Sequence, residues 1–504
     1  MKFFALRLSA FALILTGAAA AQTTQSACSG MALGTNGALN GFVPTGTDAW
    51  HTDVTNAAVD PSSSTILVSN GNDLAGAFLH PDFGQGAGIP YNVVDSSQTA
   101  GVPVGINLYA ADSDITLAPV PSNAVIEGNP NACPTDTNDR HMIVVDRNKC
   151  VVYEYWQAGQ CNGNFSASNT ALFDMVNGEQ RPYGITSADA AGLSIFAGLV
   201  RYDEIIAGSI NHAIRFTASH TKNNANNGIF VAPATHASGN NWSTDNIIGM
   251  RIRLRADFDI SGYSATNQII LKAMKKYGMI LADNGSSMFF QGTTDSRWND
   301  DDLSKLKSIP SSAFDVVQMG TKYDANTAPT GTAPVISSLT ASATTVAPGT
   351  AVTLTPNVTG STYNYIDNAG FVRGTSVTVT PKATTTYTLT SRNAYGTSTK
   401  SVTVTVSSGF TAAPSVTSPT TTTTKKTLLS LGLVKLSATH YQVVAYSNSI
   451  APVAIMLTSG TGTLSGSTLT MSSTGTVTLQ AKQLAVTGYT TASVIAQFVI
   501  SSLQ

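Results

Sequence analysis

From Asp139 onward, short apolar runs alternate with polar residues in a way that predicts a mainly β chain with few helices. HMIVVDR and CVVYEYW, joined by Asn148-Lys149, predict a strand, a turn and a returning strand; INHAIRFT, GIFVAPAT and GMRIRLRADFDI predict further strands. SATNQIILKAMKKYG places Ile269, Ile270, Ala273, Met274 and Tyr277 at helical spacing. GMILADNGSSMFFQG predicts a hairpin over Asn284-Gly285, and Asn299 or Asp300 can cap a short helix through Leu306. GLVRYDEIIAGSINHAIRF predicts a short helix or turn, a stop at Gly208 and a strand carrying His212. Residues 28–135 are rich in Gly, Pro, Asn and Asp and predict mostly loops. Together these elements predict a large β-sandwich or jelly-roll-like N-terminal domain with a few helices.

The C-terminal third has a different texture. Residues 326–333 and 408–426 are Pro/Thr-rich without apolar period, so both predict linkers. Between and beyond them, apolar residues alternate with Thr and Ser, as in TTTYTLTSRNAYGTSTKSVTVTV and LTSGTGTLSGSTLTMSSTGTVTLQAKQ. On these residues, 334–407 and 427–504 each resemble bacterial Ig-like domains, which implies two small β-sandwiches that space or present a neighbour. In the N-terminal domain, DRHMIVVDR, SADAAGL, GLVRYDEI, PATH, KYGMILADNGS and RWNDDDL resemble an uncharacterised family of secreted bacterial proteins. That resemblance implies no activity.

Lys2 and Arg7 precede an apolar run, Leu8 to Ala20, so residues 1–21 read as a cleavable signal peptide and the mature protein as secreted. No segment is long and apolar enough to predict a membrane span. In an oxidising compartment Cys28, Cys133, Cys150 and Cys161 predict disulfides; Cys150 with Cys161 is preferred because the chain between them reads as a strand returning through a turn. No cysteine or histidine spacing suits zinc, and no cofactor is indicated.

Charge localises the chemistry. After Thr330 there is one acid, Asp367, against eight Lys or Arg, whereas residues 22–330 carry 28 acids, 17 bases and six of the seven histidines. Acid–base work therefore belongs to residues 22–325, which are expected to retain activity alone. The near-neutral total, −2, argues against nucleic acid as a partner.

Candidate catalytic residues are His212 and Asp203, brought together by a reversal at Gly208, with Glu204, His236 and Glu154 behind them. Arg201 and Asp203-Glu204 can equally form surface pairs. Arg251, Arg253 and Arg255 share one strand face and could bind an anionic polysaccharide, or face acids of a neighbouring strand. Glu154 beside Trp156 suits sugar binding, although aromatic strands also build cores. Asp300-Asp301-Asp302 suits helix capping better than calcium. No nucleophile elbow, zincin motif, P-loop or dinucleotide fingerprint is present. Two functions fit: a glycosidase or lyase acting on extracellular polysaccharide, or a non-catalytic surface or adhesion protein that binds glycan.

Overall fold

The structure, a computed structural model, describes residues 28–44, 49–69, 71–114, 117–128, 138–161, 164–178, 180–224, 227–239, 244–407, 429–447, 453–465, 467–483 and 492–500. The signal-peptide reading, Cys133, the side chain of Cys161 and the second linker lie outside them. The chain is mainly β, with five α-helices among the described residues. It divides into two compact units: residues 1–340 with 354–377 and 387–402, and residues 341–353, 378–386 and 403–504.

The first unit is built on two mixed sheets. The strands of these two sheets are β1 (Gly34–Thr35), β2 (His80–Asp82), β3 (Tyr91–Val94), β4 (Met142–Asp146), β5 (Val151–Trp156), β6 (Asn169–Asp174), β7 (Ile214–Ala218), β8 (Arg251–Leu254), β9 (Met279–Asn284), β10 (Phe289–Gln291) and β11 (Phe314–Val316). One sheet has the order β1-β3-β4-β5-β6 and the other β11-β8-β9-β7-β10-β2. The expected strand–turn–strand is the antiparallel β4–β5 pair, with Val144 opposite Tyr153. The expected long helix spans Ala265–Lys276, capped by Ser264, and buries Ile270, Ala273 and Met274. The helix Asp300–Ser304 is capped by Asn299. The hairpin over Asn284-Gly285 does not form. Instead β7 lies between β9 and β10, parallel to the first and antiparallel to the second.

Strand β5 is covered on both faces, so its pattern is a continuous buried run. Tyr153 and Tyr155 point into a cluster that includes Val104, Leu172, Tyr363, Tyr365 and Phe371, while Val152 packs with Ile143, Phe173 and Phe196. Strand Tyr363–Ile366 pairs with Leu389–Arg392 in the same unit. In the second unit, Gly475–Gln483 pairs with Val453–Ser459 and Ala492–Ile500, and the alternation expected from sequence buries Val477, Leu479 and Ala481.

The expected Cys150–Cys161 bridge is corrected: Cys150 bonds Cys28. Cys150 ends the tight β4–β5 turn in the left-handed region, φ 53°. It is β6 that returns along β5, whereas Gly159–Cys161 pairs with Asn164–Ala167 in a different sheet. The bridge closes a loop of 122 residues. A double Cys28→Ser, Cys150→Ser protein is expected to lose about 2–5 kcal/mol in urea unfolding. A non-reducing peptide map should join the two cysteine peptides.

Candidate active site

The first-choice pair does not assemble as expected. The helix Tyr202–Ala207 stops at Gly208, φ 83°, but the strand begins only at Ile214, so His212 precedes it. Asp203 turns away from His212: Oδ2 accepts from the Leu39 N–H at 3.0 Å and Oδ1 lies 3.4 Å from Arg297. Glu204 takes its place. Its Oε1 lies 3.0 Å from both His212 Nε2 and Arg201 Nη2, and its Oε2 accepts from the Arg201 N–H. His212 Nδ1 carries a proton, because its neighbour at 2.6 Å is the Ala213 carbonyl. Burial alone would raise the Glu204 pKa, but Arg201 and then His212 outweigh it and hold the carboxyl at about 2. His212 is 1 % exposed. The trio is a closed anchor for the helix start.

The other candidates are equally committed. Glu154 is fully buried and accepts from Ser194 Oγ and the N–H groups of Ile195 and Phe196, so it neutralises the N-terminus of the short helix Ile195–Gly198. His236 Nδ1 donates to the Ala190 carbonyl at 2.8 Å. Arg251 and Arg253 are buried and do not form an open row. Arg251 donates to the carbonyls of Ala49, Thr52 and Tyr277, and Arg253 to those of Val54, Thr55 and Ala57, so both pin the loop before the helix Ser63–Leu67. Arg255 pairs with Asp257 at the surface.

A different set of side chains converges. On β7, Ile214 and Phe216 enter the core while Arg215 points to the opposite face, and its Nη1 donates to Gln291 Oε1 on β10. Asp82 lies opposite Gln291 on β2 and accepts from it. Asp283 reaches this face through a bulge. Phe216 pairs with Leu281, but Thr217 pairs with Asp283, so Ala282 is the extra residue and Asp283 turns to the side of Arg215. Arg215 Nη2 then lies 3.8 Å from Asp283 Oδ2 and 3.6 Å from Asp189 Oδ2. Asp189 is held by Ser187 Oγ and the N–H groups of Ala191 and Leu193, all to Oδ1. Its Oδ2, together with Arg215 Nε and Nη2 and His141 Nε2, is buried without a hydrogen-bond partner. Opposite, His141 Nδ1 and N–H both meet Glu127 Oε2, at 2.7 and 3.1 Å.

The field in this cluster pushes proton affinities apart. Burial raises Asp189 to about 7, against the pull of Arg215 and with help from Asp283. Burial also raises Asp283, opposed by Arg215 and His141. Asp82 is raised by burial and then by Glu127. Glu127 goes the other way, because His141 outweighs its burial and holds it below the usual range. Burial would lower His141, but Glu127 outweighs it and raises the imidazole. Asp283 and Glu127 keep about a quarter of their side-chain surface exposed, 26 % and 27 %, while Asp189 and Arg215 lie beneath. At the edge, Trp156 Nε1 donates to Asp139 Oδ1 at 2.9 Å and its ring meets that of exposed Tyr109 at 5.8 Å. The charge of Asp139 acts on both His141 and Asp283.

Of the sequence candidates, Trp156 borders this cluster, and Glu154 lies close enough for its charge to act on Asp189 and to feel that of Arg215. Asp189, Arg215 and Asp283 were legible in one respect: they are single charges inside apolar runs (SADAAGL, HAIRF, ILADN), where a charge is rarely buried without a task, and no such signal marks Asp82 or Glu127. Among the described residues no three His, Cys, Asp or Glu side chains form a metal-ligating group, and no helix is long and apolar enough to cross a membrane.

No family model and no curated protein matches the chain. Among solved structures, a chimeric titin Z1Z2 functionalized with a KLER exogenous peptide from decorin is 14 % identical over 34 % of this chain and 97 % of its own, with a TM-score of 0.16. A C-terminal 282-residue fragment of intimin, in complex with the intimin-binding domain of the translocated intimin receptor, is 14 % identical over 32 % of this chain and 63 % of its own, with a TM-score of 0.13. Likeness at this level carries no argument about activity.

Proposed function

We propose that the chain is an exported carbohydrate-active enzyme that cleaves glycosidic bonds of an extracellular polysaccharide by acid–base chemistry, as a glycosidase or lyase. The observation that carries this is the pair Asp283 and Glu127. Both are partly exposed around Arg215; one has its proton affinity raised and the other lowered. Environments that separate two carboxyls in this way assign an acid and a base. Asp283 donates a proton to the departing glycosidic oxygen. Glu127, kept ionised by His141, activates water or withdraws a substrate proton. Burial raises Asp189 to about 7, so Asp189 and Asp283 resist double ionisation beside Arg215. Trp156 and Tyr109 provide apolar ring surface next to carboxylates, the combination that holds a sugar by one face and its hydroxyls. The apolar leader and the Cys28–Cys150 bridge support an extracytoplasmic location.

The test is cleavage by the full mature chain of neutral, basic and acidic polysaccharides, followed as new reducing ends and as the absorbance of unsaturated uronates. Asp283→Asn is expected to lower turnover by roughly 10²-fold or more with an unchanged circular dichroism spectrum. Normal turnover by that folded variant would remove the assignment. Retention on a glycan without cleavage of any polymer would instead mark a binding protein.

A further inference from the structure

The cluster around Arg215 has its charges in two layers. Arg215 and His141 are buried, whereas Glu127 and Asp283 are partly exposed and Asp139 is exposed at the rim. Arg140, next to Asp139 in the chain, is buried as well, and its Nε donates to the Ala158 carbonyl. From Glu127 to Asp139 the sequence contains Asp136 and no lysine or arginine. Farther out, the charge of Lys307 acts on His80, and the hollow those two line holds two acids, Asp82 and Asp300. Beside Glu127, Asp139 and Asp283, the charges that solvent meets are negative.

Two of these carboxylates have an oxygen to spare. The His141 Nδ1 and N–H both meet Glu127 Oε2, and Oε1 accepts from none of the described residues. Asp139 takes the Trp156 Nε1 proton on Oδ1, and its Oδ2 is likewise unclaimed among them. Because His141 binds Glu127 through Nδ1, its Nε2, buried and without a hydrogen-bond partner, lies on the opposite edge of the ring. The charge of His141 acts on Asp283, and that of Asp139 on both, so the ring belongs to the cluster and not to the apolar core. An ammonium group, with three donors and no acceptor, matches an unclaimed carboxylate oxygen. A surface of one sign also concentrates a polymer of the other. A uronate polymer would bring further carboxylates against Glu127 and Asp139, and Arg215 and His141 lie too deep to meet them.

We propose that the polymer cleaved here is polycationic, a polysaccharide of amino sugars with free amines, an ammonium group seated on Asp139 Oδ2 and a sugar ring on Trp156 and Tyr109. The inference rests on the acid–base reading of this site and narrows it to hydrolysis, because an amino sugar has no carboxyl group to acidify the neighbouring ring proton for elimination. Water adds to the anomeric carbon as the glycosidic C–O bond breaks; Asp283 gives its proton to the leaving oxygen and Glu127 takes one from the water. The test gives the full mature chain chitosan of low and of high acetylation, a neutral glucan and a polyuronate, with reducing ends and calorimetric binding measured separately. The low-acetylation polymer is expected to have a kcat/KM about tenfold or more above the others, a gap that narrows at about 1 M salt, where the Debye length is roughly 3 Å. Asp139→Asn, which keeps Oδ1 for Trp156, should raise KM on that polymer about threefold or more with kcat little changed. Preferential cleavage of an acetylated, neutral or acidic polymer would overturn the inference and leave the acid–base reading standing. Salt-sensitive binding of the amine polymer, weakened in Asp139→Asn but without cleavage, would remove that reading and leave the charge preference standing. An unchanged KM in folded Asp139→Asn, or neither binding nor cleavage of the amine polymer, would overturn the inference itself.

Discussion

A chain ending at Thr330 is expected to show no cooperative melting transition, whereas one running through Ser407 melts sharply. The shorter chain lacks Tyr363, Tyr365 and Phe371, which pack in one cluster with Tyr153, Tyr155 and Leu172. Tyr153 and Tyr365 also share a side-chain hydrogen bond. Truncating one buried aromatic side chain costs about 3–5 kcal/mol. The cut also removes Arg373 from Asp174, a carboxylate that is 6 % exposed, whereas Asp114 loses Arg392 but keeps Arg181. Leaving one member of a buried pair uncompensated costs roughly 3–5 kcal/mol. These losses exceed the roughly 5–15 kcal/mol by which a domain is stable. Circular dichroism melts of the two chains decide it. A sharp transition in the shorter chain would mean that residues 22–325 fold alone, as their charge and the Pro-rich segment at 326–333 predict.

The difference between that expectation and the packing has a physical cause. Proline, threonine and charge density mark where a chain can be extended, but not which side chains bury across the extended segment. The alternation in TTTYTLTSRN specifies a strand and places Tyr387 and Leu389 inward. It does not reveal that Arg392 on the same strand reaches Asp114, 278 residues away. The β4–β5 pair, the helix Ala265–Lys276 and the Asn299 cap were legible because each depends on residues within about one element's length. The β9–β10 hairpin failed because turn chemistry at Asn284-Gly285 is local, while insertion of β7 between the two strands is not. The candidate site followed the same rule. Glu204 rather than Asp203 meets His212 because helix phase and the capping bond to Arg201 decide which carboxyl turns inward. Asp283 joins Arg215 only through a bulge at Ala282, and a bulge is invisible in a strand read by strict alternation.

Asp189→Asn is expected to leave the protein more stable than the parent at pH 8 and no more stable at pH 5. Asp189 has no exposed side-chain surface, and burial raises its pKa from 3.8 to about 7. A carboxyl that binds its proton more tightly in the folded chain than in the unfolded one stabilises the fold while both states are protonated. That contribution is lost as pH rises from the unfolded value through the folded one, here from about 4 to about 7. The slope is roughly 1.4 kcal/mol per pH unit while the group titrates, which sets an upper bound of about 4 kcal/mol. Asparagine has no proton to lose. Its Oδ1 can keep the bonds from Ser187 Oγ and the N–H groups of Ala191 and Leu193, so the loop geometry is retained. Glu127 and His141 also titrate, but they do so in both proteins, so the difference between the two urea-unfolding curves at each pH reports Asp189 together with Asp283, whose charge bears on it. The parent should lose more stability than the variant between pH 5 and 8, the two free energies crossing in that interval. An equal deficit for the variant at both pH values would mean that Asp189 is ionised throughout and bound to Arg215 as a simple ion pair. A gain in stability at pH 8 accompanied by loss of turnover would identify Asp189 as a group kept for chemistry at the expense of the fold.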